Sequence, residues 1–244
     1  MGNRVDGRAP DELRPVRITP GYFEYAEGSA LIAMGMTRVA CAVTVEERLP
    51  NFLRGKGTGW ITAEYGMLPR STLTRTPREA AQGRVSGRSQ EIQRLIGRAL
   101  RAVTDLGLVG ERTVLVDCDV LQADGGTRTA AITAAYVALY QAFQRLVDTG
   151  VLEQIPLRSA VAAVSVGVVN EQALLDLCYD EDSRAEVDFN VVMTDRDEYV
   201  ELQGTAEGKP FSRASMDQIL DLAHKGIRDL FAAQQAAIDT LRHG

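Results

Sequence analysis

Histidine and cysteine are both scarce in this chain of 244 residues. Only His224 and His243 occur, both near the C-terminus, which argues against a histidine-centred triad and against a histidine-rich zinc site. The three cysteines, Cys41, Cys118 and Cys178, are odd in number and lie far apart inside strand-like runs. We therefore expect small buried thiols in a reducing compartment rather than disulfides or metal ligands.

Long apolar runs are also missing. No stretch reaches the roughly 18 apolar residues that a membrane helix needs, and the polar segment Met1–Arg8 has no signal-peptide core. We therefore expect a cytoplasmic protein with no membrane partner. The apolar fraction of 45% is ordinary for a globular protein, so the chain can bury a sizeable core.

Charge is unevenly distributed along the chain. The net charge of −6 would normally argue against a nucleic-acid ligand. Between Arg48 and Arg101, however, there are 11 Lys and Arg against 3 Glu, a local net charge of +8, while the rest of the chain carries −14. A basic middle in an acidic protein favours a polyanion bound locally. A solvated basic loop is the alternative.

The order of strand-like and helix-like patterns predicts an α+β fold. Strand patterns occur at residues 16–19, 22–26, 29–34, 36–46, 113–121, 161–169, 173–178, 187–193 and 199–202. Apolar residues at helical spacing occur at 92–103, 132–146 and 216–238. Because the helices are grouped in blocks, an α/β sandwich with mixed sheets is favoured over a doubly wound sheet. We expect a single domain, 1–244, with a long functional loop over 50–87.

A glycine turn at the start of the second predicted helix is the first candidate site. Gly125 and Gly126 precede Thr127, Arg128 and Thr129, and free backbone N–H groups at a helix start attract anions. A phosphate site is therefore predicted here, although a plain strand-to-helix turn would use the same residues.

Arg88 supports the phosphate interpretation. It lies at the start of the preceding helix, after a predicted N-cap at Ser86 or Ser89. A cation is unfavourable at the positive end of a helix dipole unless an anion shares the site. Two arginines, Arg88 and Arg128, can hold a phosphate through charge-assisted hydrogen bonds.

Two aspartates form the second candidate site. Asp188 occupies a strand position between apolar neighbours, and Asp182 lies at the preceding turn, from which it can fold back. Paired carboxylates can hold Mg²⁺ or share a proton so that one acts as a general acid. Three other acids of this segment fit a solvated turn: Asp180, Glu181 and Glu186.

The third candidate site is the predicted loop. Arg70, Arg75 and Arg78 can make sequence-independent contacts to a sugar-phosphate backbone. Two of its rings, Trp60 and Tyr65, can stack on bases or belong to the core.

Several segments together resemble bacterial ribonuclease PH, in order and without a large insertion, from about Val5 to the C-terminal helix. They are Val5–Arg8, Gly59–Arg70, Ser86–Arg98, Asp117–Thr129, Glu181–Ser183 and Val187–Asn190. The resemblance implies a ribonuclease PH-like fold and a phosphorolytic 3′→5′ exoribonuclease (tRNA nucleotidyltransferase). Such an enzyme removes 3′ nucleotides from tRNA precursors and other RNAs as nucleoside diphosphates, with inorganic phosphate as co-substrate.

The resemblance also implies roles for individual residues. Phosphate would be bound by Arg88, Gly126, Thr127 and Arg128. Asp182 and Asp188 would be the catalytic acids, either holding Mg²⁺ or protonating the leaving oxygen. Arg70, Arg75 and Arg78 would contact tRNA. A cytoplasmic homohexamer, a trimer of dimers, is expected, with no DNA partner.

Two other functions remain to be weighed. Relatives of this fold in exosome-like complexes are non-catalytic, RNA-binding ring subunits, but this chain retains both the arginines and the acids. A hydrolytic nuclease would use the same acids with water, and it would have no use for a phosphate-binding turn.

Overall fold

The computed structural model describes residues 4–243 and confirms the α+β class. The strands are β1 Val16–Pro20, β2 Gly28–Met34, β3 Thr37–Glu46, β4 Trp60–Met67, β5 Thr113–Gln122, β6 Val161–Val169, β7 Gln172–Leu175, β8 Val187–Thr194 and β9 Tyr199–Ala206. The helices are α1 Gly87–Ala102, α2 Leu106–Val109, α3 Thr127–Asp148, α4 Tyr179–Asp182 and α5 Arg213–His243. Short 3-10 helices cover Asn51–Leu53 and Glu79–Gln82.

Two sheets form the framework. The first has the order β1-β2-β3-β5-β4 and is mixed, because β4 runs parallel to β5 while the other neighbours are antiparallel. The second has the order β7-β6-β8-β9 and is antiparallel throughout. The sandwich with a mixed sheet is therefore confirmed.

Helix α3 lies between the two sheets. It packs against β2 and β3 of the first sheet and against β6 of the second. Most of its side chains from Thr127 to Phe143 are buried, as expected for a helix that is apolar on all sides. Its N-terminus therefore emerges where the two sheets meet, and it carries the predicted phosphate turn.

Two segments differ from the sequence-based expectation. Residues 22–26 form a bend, not a strand, because the Oγ of Ser29 accepts a hydrogen bond from the Phe23 N–H (2.8 Å) and donates one to the Phe23 carbonyl (3.3 Å). Such local side-chain bonding competes with strand pairing. Tyr25 is 97% exposed there, so no apolar face holds the segment against the sheet.

Strand β4 lies inside the stretch 50–87 that was expected to be a loop. Ile61, Ala63 and Tyr65 are buried while Glu64 is exposed, an alternation of period two that a half-buried strand requires. The alternation is short and lies among Gly, Thr and Pro, so the sequence pattern alone indicates a loop there. None of the helices within residues 4–243 is long and apolar enough to span a bilayer.

Candidate active site

The glycine turn adopts a backbone that only glycine accommodates well. Gly125 and Gly126 have φ values of 74° and 64°, in the left-handed region. A Cβ on Gly125 would lie 2.4 Å from the Leu177 carbonyl oxygen, so the turn packs directly on the chain before α4. Gly126 is the N-cap of α3 and supplies no side-chain cap, which leaves the first N–H groups of the helix available to a ligand.

Two side chains that the sequence did not suggest hold this turn in place. The Thr37 hydroxyl donates to the Gly125 carbonyl (2.7 Å) and accepts from the Asp124 N–H (2.9 Å). The Arg14 guanidinium donates to the carbonyls of Asp124 and Gly125. These contacts satisfy and fix both carbonyls.

Arg14 is itself fixed by a buried ion pair with Asp176. Its Nε and Nη2 donate to the two carboxylate oxygens of Asp176 at 2.9 and 2.6 Å, and its backbone N–H donates to the same carboxylate at 2.8 Å. Removing one partner of such a pair typically costs about 3–5 kcal/mol, because the other charge stays buried. One signal could have revealed it: Asp176 is a single charge between Leu175 and Leu177, where a buried acid needs a cation.

A cleft of about 410 Å³ opens in front of the turn. All six residues predicted to bind phosphate or to act as catalytic acids line it: Arg88, Gly126, Thr127, Arg128, Asp182 and Asp188. They come from α1, the α3 terminus, α4 and β8. Cations and a helix N-terminus therefore share one cavity with two carboxylates.

Arg88 and Arg128 are positioned by different contacts. Ser86 caps α1 through its Oγ, which accepts from the Ser89 N–H at 3.1 Å, so Arg88 is exposed in the first turn as predicted. Arg128 is oriented by Gln203, whose Oε1 accepts from the Arg128 Nη1 at 3.1 Å. Glu91 lies 3.8 Å from the same nitrogen and balances part of the Arg128 charge.

The carboxylates have perturbed pKa values. Burial, with the negative charge of Asp182, raises the pKa of Asp188 to about 6, although Arg128 and Arg88 oppose the rise. Burial also raises the pKa of Asp182, again against the two arginines. A carboxyl of this kind can carry a proton near neutral pH, which is a common property of catalytic acids.

The acid pair also suits a divalent cation. The Oδ1 of Asp188 is buried without a hydrogen-bond partner among the residues that the structure describes. Within that part of the chain, no group of three or more His, Cys, Asp or Glu converges on one point. Mg²⁺ is commonly bound by one or two carboxylates together with substrate phosphates, so Asp182 and Asp188 fit the group without further protein ligands.

Glu181 corrects one expectation. Asp180 and Glu186 are exposed as predicted, but Glu181 is buried and receives two hydrogen bonds from Arg4, at 2.8 and 2.6 Å. Its carboxylate also accepts from the Cys178 N–H at 3.1 Å. The short helix α4, which ends at Asp182, is therefore fixed by the N-terminal arm and is not a free turn.

Of the two rings of β4, Tyr65 supports the site from within the core. The Tyr65 hydroxyl hydrogen-bonds to the Thr127 Oγ1 at 2.8 Å, so this ring positions a phosphate-binding residue and is too buried to stack on a base. Trp60 lies under the guanidinium of Arg101, 4.4 Å from the ring centroid. Tyr65 therefore follows the core interpretation, whereas Trp60 is half-buried between Arg101 and Phe52.

The three loop arginines lie outside the cleft lining but close to it. Arg70, Arg75 and Arg78 are exposed, while the intervening residues 72–74 line the cleft. The loop is closed on itself, because the Thr76 N–H donates to the Pro69 carbonyl at 2.9 Å. A basic rim is thus attached to the mouth of the cavity.

Sequence comparison matches both halves of the chain to one family. The model described as "3′ exoribonuclease family, domain 1" matches residues 12–143, and "domain 2" matches residues 159–226. The chain is 60% identical to Ribonuclease PH of Dehalococcoides mccartyi over 232 residues, 95% of this chain and 96% of the relative. It is 57% identical to Ribonuclease PH of Syntrophomonas wolfei over 96% of this chain and 98% of that one.

Solved structures show the same fold. An Archaeoglobus fulgidus exosome with RNA bound to its active site is similar with a TM-score of 0.80 and 26% identity, over 94% of this chain and 92% of that one. Rice Rrp46 is similar with a TM-score of 0.74 and 22% identity, over 98% of both chains.

Proposed function

The chain belongs to the 3′ exoribonuclease family, and on that premise we propose how its cleft carries out the reaction. The activity is that of a phosphate-dependent 3′→5′ exoribonuclease. Inorganic phosphate attacks the last phosphodiester of an RNA. The products are a nucleoside diphosphate and an RNA that is shorter by one nucleotide.

The attacking phosphate binds on the glycine turn. The open N–H groups at the start of α3 and the side chains of Thr127 and Arg128 hold it from one side, and Arg88 holds it from the other. The observation that carries the proposal is that these groups share one cleft with the acid pair. Positive charge here offsets the repulsion between the attacking phosphate and the scissile phosphodiester.

The acid pair acts on the leaving group. The bond between phosphorus and the 3′-oxygen of the penultimate ribose breaks as the bond to the incoming phosphate forms, and the released oxygen takes up a proton. Asp188, with its raised pKa, is the suited donor in the metal-free site. When Mg²⁺ is bound across Asp182 and Asp188, it would neutralise charge on the reacting phosphates.

No side-chain nucleophile is needed in this scheme. Phosphoryl transfer depends on positioning and electrostatics, and the nucleophile arrives as the co-substrate. Among the residues that the structure describes, the cleft lining accordingly contains no histidine or cysteine.

The basic rim receives the RNA body. Arg70, Arg75 and Arg78 would contact the sugar-phosphate backbone of tRNA precursors and other RNAs upstream of the 3′ end. Support comes from their exposure beside the cleft mouth and from the exosome relative, which holds RNA in its active site.

The assembly and location follow from the family. We assign a homohexamer built as a trimer of dimers, supported by structural similarity to exosome cores. Residues 1–244 would form one domain, because α3 packs against both sheets. A cytoplasmic location is likewise assigned from membership of the family.

One assay tests the activity. RNA with a labelled 3′ end is incubated with and without inorganic phosphate, and the released nucleotides are identified. We expect loss of 3′ nucleotides only with phosphate, and only as diphosphates. Equal rates without phosphate, or monophosphate products, would contradict phosphorolysis, and no turnover by the assembled protein would favour a non-catalytic ring subunit.

A further inference from the structure

Tyr179 is an aromatic side chain that the phosphorolytic scheme leaves without a role. It lines the same cleft as the phosphate-binding and acidic residues, yet 54% of it is exposed. Among residues 4–243, no aromatic ring stacks on it and no hydrogen bond reaches its hydroxyl. An exposed ring in a polar cleft adds little to folding, and its position in the lining leaves it available to a ligand.

The backbone of Tyr179 is held rigidly beside the reacting groups. Its N–H donates to the Asp124 Oδ1 at 3.2 Å, and Gly125 packs against the peptide that joins Cys178 to Tyr179. Asp182 follows three residues later at the end of α4. The ring therefore projects from the segment that connects the phosphate turn to the acid pair.

The chemistry of the cleft separates into two kinds of surface. Arginines, helix N–H groups and carboxylates serve phosphates and protons. Only two large apolar side chains are exposed in the lining that the structure describes: Tyr179 and, at 85% exposure, Leu73. A nucleotide has the same division, with an anionic phosphate at one end and a flat apolar base at the other.

We propose that the Tyr179 ring is the stacking platform for the base of the 3′-terminal nucleotide, the one that phosphorolysis releases. The inference rests on the proposed function of the cleft. The attacking phosphate becomes the outer phosphate of the nucleoside diphosphate, so the released nucleotide lies on the side of the glycine turn. Tyr179 is tied to that turn through Asp124 and Gly125. Stacking accepts every base, as an exoribonuclease that acts on varied 3′ ends requires.

The test combines Tyr179→Ala with an RNA whose terminal ribose lacks its base. For the unmodified protein, removing the terminal base should lower kcat/KM by about 5- to 150-fold, the range for one stacked base. Tyr179→Ala should show a similar loss on intact RNA and no further loss on the abasic RNA. Tyr179→Phe should behave as the unmodified protein, because the ring and not the hydroxyl makes the contact.

Two controls separate stacking from damage to the site. The KM for phosphate should stay unchanged in Tyr179→Ala; a parallel rise would mean that the turn has moved and would overturn the proposal. Leu73→Ala, at the other exposed apolar residue of the cleft, should still lose the full factor in kcat/KM when the terminal base is removed.

The proposal is also wrong if Tyr179→Ala still loses that factor. It is wrong as well if the loss caused by Tyr179→Ala disappears only when the penultimate base, and not the terminal base, is removed.

The outcome is distinguishable from failure of the proposed function. Release of nucleoside diphosphates in the presence of phosphate reports phosphorolysis whatever residue 179 is. Phosphate-dependent release without coupling between residue 179 and the terminal base would overturn the stacking role alone.

Discussion

Replacing Asp188 with Asn should abolish turnover and at the same time stabilise the fold at alkaline pH. Asn has the same shape but no charge and no transferable proton. The pKa of Asp188 rises from 3.8 to about 6 in the folded protein because the carboxyl is buried beside Asp182. The folded state therefore holds its proton more tightly than the unfolded chain, and ionisation opposes folding.

The sign and size of the effect follow from this linkage. Below pH 3.8 the Asp188 carboxyl is protonated in the folded and the unfolded state, so it does not lower the free energy of unfolding. Between pH 3.8 and about 6 the unfolded chain loses the proton first, and above pH 6 the full penalty is reached. The rise in pKa corresponds to about 3 kcal/mol at most. Asp188→Asn should recover up to that amount at pH 8, and the gain should shrink as the pH falls towards 4.

Urea unfolding of both proteins in metal-free buffer, at pH 4.5 and pH 8, measures the difference. Because only the difference is used, other titrating groups cancel. Added Mg²⁺ should narrow the gap at pH 8 by binding the unmodified protein alone. If Asp188→Asn is no more stable than the unmodified protein at pH 8, ionisation of the Asp188 carboxyl does not oppose folding. If it retains near-normal phosphorolysis, Asp188 is not a catalytic residue.

Three further substitutions test the rest of the site. Arg128→Ala should raise the KM for phosphate by about 10- to 100-fold, as expected when a charged hydrogen bond is lost, with a smaller change for RNA; an unchanged phosphate KM would remove Arg128 from the site. Gly125→Ala should lower the free energy of unfolding by at least 1 kcal/mol more than Gly55→Ala, since both have a left-handed φ (74° and 73°) but only the former Cβ meets another atom within 4 Å. Equal losses would show that the contact with Leu177 is unimportant. Arg75→Ala should weaken the binding of long RNA more than that of a short oligonucleotide, measured as the ratio of the two KM values. Equal rises in the two KM values would speak against a contact with the RNA body.

Periodicity predicted most of the framework because its signals are local. Strand β6 was predicted at its observed bounds, 161–169, because it is a continuous apolar run. The N-cap of α1 was narrowed to Ser86 or Ser89, since a capping side chain bonds to its own helix, and the structure shows Ser86. These features need no knowledge of the rest of the fold.

The sequence could not place the contacts that join distant segments. Thr37 and Arg14 support the glycine turn from a strand and an arm that are remote in sequence, and neither belongs to a recognisable local pattern. The prediction that Glu181 is solvated is wrong because its partner cation, Arg4, is 177 residues away in the sequence. Tyr179 has no sequence signal, because an exposed aromatic residue in an acidic segment follows no periodic pattern.

The Arg14–Asp176 ion pair can form only late in the synthesis of the chain. Its partners are 162 residues apart, so at 5–20 residues per second Arg14 is synthesised about 8–30 s before Asp176. Only over the last 48 residues of that interval, between Arg128 and Asp176, does the nascent chain carry the phosphate turn without the ion pair that fixes Arg14 against it, and it then also lacks Asp182 and Asp188. On the proposed mechanism, a chain released before Asp188 should therefore not degrade RNA. The acid pair is complete only after residue 188 of 244 has been translated.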